Sequence, residues 1–88
     1  MNIPTKVKIG GHILKVRLAE FADDDTLCGE NTPTDGEIVI NKKLPQSQIE
    51  ATFIHEAMHT MNTTIDHVLL DSLSEQIYQF LKDNKLIA

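Results

Sequence analysis

The chain has 88 residues, a hydrophobic fraction of 41% and a net charge of −5, the profile of one small globular domain. With no Lys/Arg-rich run it lacks the positive footprint of nucleic-acid binding, and no apolar stretch approaches the roughly 20 residues that span a bilayer. A chain this short buries only roughly 60–65% of the surface exposed when unfolded, so a bound metal would add usefully to its folding energy.

In chain order, Met1–Lys6 lacks the apolar region of a secretory signal. Val7 and Ile9 alternate with Lys6 and Lys8, and Leu14, Val16 and Leu18 alternate with Lys15 and Arg17. Gly10-Gly11 between these period-2 runs predicts a β-hairpin. Residues 19–26, with the run Asp23-Asp24-Asp25, read as a solvated acidic loop. A short strand is expected from Leu27 to Asn31, then a turn over Thr32–Gly36, then a β-branched strand over Glu37–Asn41.

The period then changes. From Pro45 to Asn62, Ile49, Phe53, Ile54, Ala57, Met58 and Met61 recur at helical spacing. Pro45 suits a first turn, and Ser47 with Glu50 fits a capping box. Asp66 can cap a second helix running to about Asn84, with Leu69, Leu70, Leu73, Ile77, Phe80 and Leu81 as its apolar positions. Lys82 and Lys85 sit near its negative end. The expected fold is α+β: a small antiparallel sheet of three to four strands followed by two packed helices.

His55-Glu56-Ala57-Met58-His59 carries the chemistry. On a helix, positions i and i+4 share a face one turn apart, so two imidazoles there can reach one zinc ion at about 2.0–2.1 Å. Glu56, one position on, leans beside the metal, where its carboxylate can hold a water and take its proton as general base. Zinc lowers the pKa of such a water toward ~7.

A catalytic zinc takes three protein ligands and keeps one open position. Glu75 is one candidate for the third, at the edge of the second helix's apolar stripe among Ser72, Ser74 and Tyr78. A carboxylate there is solvated or paired, because burying it alone is costly. His67 is another, near the helix start and facing the cleft. The metzincin pattern does not apply, because its third histidine position is Ile65 and its glycine position is Asn62. His12 reads as a surface residue. Cys28, the sole cysteine, forms no internal disulfide and reads as a half-buried thiol rather than a ligand. Its isolation makes a cytoplasmic setting the expectation.

The segments FIHEAMHT (residues 53–60) and LSEQIYQFLKDN (residues 73–84) resemble the small phage-type HExxH zinc metallopeptidases, minimal gluzincin-like zincins. Cys28-Gly29-Glu30 through Ile40 is similar to the turn and strand preceding the motif helix in those proteins. The resemblance covers most of the chain, and HExxH is its most specific part. It implies His55, His59 and Glu75 as zinc ligands, Glu56 as general base, a protein or peptide substrate and a bacterial host cell. It also implies substrate binding along a sheet edge, here Glu37–Asn41 or the strand before it. Larger gluzincins often carry an aspartate four residues after the third ligand to orient a zinc histidine. That position is Gln79 here, and Asp71, one turn before Glu75, is the alternative. Tyr78 and His67 are the candidates for oxyanion stabiliser. The rival reading is a non-catalytic, zinc-stabilised module that binds a protein partner, as a phage regulator would.

Overall fold

The computed structural model describes residues 1–21, 29–32 and 36–88, with residues 30–32 described by their backbone alone. The acidic run Asp23–Asp25, Leu27 and Cys28 lie outside the described residues. The fold is α+β: strands β1 (Lys6–Ile9), β2 (His12–Ala19), β3 (Gly29–Thr32) and β4 (Glu37–Asn41) precede helices α1 (Gln46–Met61) and α2 (His67–Asp83).

Gly10 and Gly11 take φ values of +57° and +85°. Paired positive φ values are what a tight hairpin turn with the strands' own twist requires. The hairpin pairs Ile9 with His12 and Val7 with Leu14. The sheet as a whole is mixed rather than antiparallel. Its order is β1-β2-β4-β3, and β2 pairs with β4 in parallel, Val16 opposite Ile38 and Leu18 opposite Ile40. The physical reason lies in β4, whose Ile38-Val39-Ile40 run is buried at every position. A strand covered on both faces belongs in a sheet interior and tolerates a parallel neighbour. β4 is therefore not the edge expected from the sequence. β3, the other strand offered as that edge, pairs among the described residues with β4 alone, antiparallel.

One sheet face offers Ile9, Leu14, Val16, Ile38 and Ile40 to Ile49 and Ala57 of α1, with Phe53 packed alongside. This cluster seats α1 against the sheet. The helix starts after Pro45, whose carbonyl accepts from the Gln48 and Ile49 amides at 3.0 Å, with no side-chain cap. The Ser47–Glu50 capping box does not form, because both residues already lie inside the helix. Glu50 is instead buried, 3.3 Å from the Met1 amine.

Asp66 caps α2 as predicted, accepting from the Leu69 amide at 3.0 Å. Among the described residues, α2 packs against α1 and against no strand. Its buried seam is accordingly narrow, Leu70 and Ser74, while Leu69, Leu73 and Phe80 of the expected apolar stripe remain exposed. No helix among the described residues is long and apolar enough to cross a membrane.

Candidate metal centre

The site forms where the turn of α1 carrying His55, Glu56 and His59 meets the first turns of α2. His55 and Glu56 of α1 and His67, Asp71, Ser74 and Glu75 of α2 line an open cleft of about 330 Å³, with Gly29 of β3 at its side. The i, i+4 spacing brings the rings of His55 and His59 to 6.3 Å between centroids. His67 completes a triangle of imidazoles, 5.3 Å from His55 and 6.3 Å from His59.

Asp71 faces this triangle from α2. Its Oδ1 lies 3.0 Å from Nδ1 of His55 and its Oδ2 3.5 Å from Nε2 of His67. His55, His67 and Asp71 can bind a metal ion, since each offers a ligand atom within 4.8 Å of the others. Ligand atoms around a tetrahedral zinc stand roughly 3.4 Å apart, so side-chain adjustments of about an ångström would close the group on an ion.

The electrostatics suit ligation. Burial pushes the His55 imidazolium below its ordinary pKa, and the neighbouring His67 and His59 add to that, against the opposing pull of Asp71 and Glu75. A ring kept neutral presents the lone pair a metal requires. Glu56 is 6% exposed, and its Oε1 lies 3.9 Å from Nε2 of His55. The base candidate thus stands beside the ring edge opposite the one facing Asp71.

The sequence-derived candidates are distributed as follows. His55, His59 and Glu56 sit together on α1, but His59 is neither in the close donor group nor among the residues that line the cleft. Glu75 lines the same cleft but lies outside the close donor group. Asp71 lies 3.0 Å from His55 and is itself a member of the close donor group. Tyr78 is drawn elsewhere: its hydroxyl donates to Oε1 of buried Glu50 at 3.3 Å, which ties α1 to α2, and it is not among the residues that line the cleft. His12 is exposed, as anticipated.

The motif spacing does not point to Gly29, which also borders the cleft. A Cβ there would stand 2.7 Å from Cγ2 of Thr52 and 3.2 Å from Cγ of Glu56, so β3 approaches α1 this closely only because the residue is glycine. The His67–Asp71 spacing at a capped helix start was the available signal for the α2 half of the site. Comparisons with protein-family models, with curated proteins and with solved structures found no match.

Proposed function

We propose that the chain is a zinc-dependent peptidase of the minimal HExxH type. The observation that carries this reading is the meeting of His55 and Glu56 on α1 with a donor group from α2 at an open cleft, with the ring of His59 6.3 Å from that of His55. His55 and His59 hold the metal together with a third donor from α2, which the family resemblance assigns to Glu75. The donor chemistry fits zinc, which takes imidazole and carboxylate ligands, whereas a cage for calcium or magnesium is built from oxygen ligands. When bound, zinc acidifies water and polarises the scissile carbonyl.

Glu56 has the position of the general base. Its buried carboxylate accepts the proton of the attacking water and returns it to the leaving amine nitrogen. β3 supplies a means of holding substrate. Among the described residues it is an edge strand that pairs with β4 alone, and it borders the cleft at Gly29. An extended peptide can add to such an edge by main-chain hydrogen bonds, which orients it without demanding a particular side chain.

The test is Glu56→Gln. Zinc content measured by mass spectrometry should match the parent protein, while peptide hydrolysis should fall by about 10²–10⁴-fold, the usual worth of a positioned general base. Equal hydrolysis by the two proteins would remove the enzyme reading.

A further inference from the structure

We infer that His67, and not Glu75, supplies the third protein ligand, and that Asp71 is the positioning residue that holds His55 and His67 toward the metal. This rests on the metal-binding reading above and changes its donor set.

The two helices form an antiparallel hairpin, so positions descending α1 meet positions ascending α2. The rings of His59 and His67 are neighbours near the turn. Four residues back along α1, His55 meets Asp71, four residues along α2 from His67, at 3.0 Å. Glu50 and Tyr78 continue the same pairing far down the hairpin at 3.3 Å. On this ladder Glu75 is one further turn, about 5.4 Å, beyond Asp71. It stands level with Ala51 and Thr52 rather than with the two motif histidines. His67 is level with His59, and its ring also stands 5.3 Å from that of His55.

The ring geometry fits a three-imidazole site. With nitrogen at about 2.1 Å from zinc, imidazole centroids around one tetrahedral ion lie roughly 5.2 Å apart. The observed separations are 5.3, 6.3 and 6.3 Å. One edge already matches, and the other two close by about an ångström through movement of His59.

Asp71 has the contacts of a ligand's partner. Its Oδ1 is at hydrogen-bond distance from Nδ1 of His55, and its Oδ2 is the oxygen nearer Nε2 of His67. If each ring directs an N–H at this carboxylate, Nε2 of His55 and Nδ1 of His67 keep their lone pairs for the ion. A carboxylate behind a ligating histidine fixes its tautomer and raises its basicity. One aspartate serves both rings here.

The experiment is zinc titration of the full chain and of three variants, His67→Asn, Asp71→Asn and Glu75→Gln, with circular dichroism to check folding. Long-range ¹H–¹⁵N spectra of the zinc-loaded parent protein report which ring nitrogens bind the ion, and need no variant to fold. The inference expects three ligating imidazoles, with Nδ1 of His67 among the bound nitrogens. It expects Glu75→Gln to bind zinc with parental affinity and Asp71→Asn to bind one zinc about 10–100-fold more weakly. His67→Asn should lose more than that. Loss of binding in Glu75→Gln with His67→Asn unaffected would overturn the inference and leave the metal reading standing. Only two ligating imidazoles, with Asp71→Asn as damaging as His67→Asn, would make Asp71 a direct ligand and equally overturn it. A parent protein that takes up no zinc would overturn both.

Discussion

Gly29 of the edge strand and Glu56 of the motif helix approach so closely that a single added carbon at Gly29 would lie 3.2 Å from the glutamate's Cγ. The same carbon would lie 2.7 Å from Cγ2 of Thr52, a residue only 5% exposed. Gly29→Ala should therefore cost about 1–3 kcal/mol of stability, the range for overpacking a well-filled interior. It should also displace Glu56 and lower hydrolysis while zinc stays bound. Adding Thr52→Ser removes the methyl in the way and should recover much of the stability, which a double-mutant cycle by urea unfolding would measure. Additive costs in that cycle would show that β3 and α1 are not in contact at this point.

Metal addition should raise the melting temperature. An ion that binds only the folded chain stabilises it by about 2.7 kcal/mol at 100 times its Kd. For a domain of this size that corresponds to a shift of roughly 10–20 °C. Calorimetry with zinc, and then with excess chelator, should show the shift appear and vanish. A His55→Gln variant should show neither. A melting temperature indifferent to zinc would mean that the cleft holds no ion.

The only tyrosine, Tyr78, gives a clean optical titration. Burial raises the pKa of its hydroxyl above the ordinary 10.0, and the charge and hydrogen bond of Glu50 raise it further. Glu50 is itself held below its ordinary value: burial pushes it up, but hydrogen bonds from Gln46 and the Met1 amine, and the charge of Lys82, outweigh that. Tyrosinate absorbance should therefore develop with a midpoint above 10. Glu50→Gln should move it part of the way back, since burial remains. For stability the sign follows from the raised folded-state pKa. The contribution is complete below pH 10 and is lost as pH rises beyond it, when the unfolded chain ionises first. A midpoint at 10 in the parent protein would contradict the Tyr78–Glu50 contact.

The C-terminus of α2 carries a local strain that can be relieved. Lys85 has φ of +59°, and the amides of Lys85 and Leu86 donate to the carbonyls of Lys82 and Leu81 at 3.1 and 2.8 Å. This is the closing pattern in which glycine is preferred, because a side chain in the left-handed region costs about 1 kcal/mol. Lys85→Gly should raise the urea midpoint by an equivalent of about 0.5–1 kcal/mol without changing the m-value. A lower midpoint would refute this account of the helix end.

The parts of the fold that a sequence encodes locally were legible. The alternation of Val7, Ile9, Leu14 and Val16 around two glycines is sufficient for a hairpin, and the spacing of Ile49, Phe53 and Ala57 is sufficient for a helix seated on it. The parallel pairing of β2 with β4 was harder to see, because a strand's own alternation says nothing of its neighbour's direction. The uninterrupted burial implied by Ile38-Val39-Ile40 was the available hint. The shared face of His55 and His59 was equally plain from their spacing, and their rings lie 6.3 Å apart. The α2 half of the site depends on the level at which two helices meet, which the connection through residues 62–66 sets. That level puts His67 and Asp71 opposite the motif. The exposed Leu69, Leu73 and Phe80 have the same origin: the periodicity marked a stripe wider than the single helix available to cover it.

Among the described residues α2 leans on α1 and on no strand, which makes the molecule divisible in energy. Swinging α2 away would leave the apolar cluster between sheet and α1 intact, so such an excursion costs less than unfolding the whole chain. The same swing would carry the α2 donors away from His55 and His59. For an ion held between the helices, retention and the seating of α2 would be one equilibrium, and whatever pries that helix loose would also empty the centre.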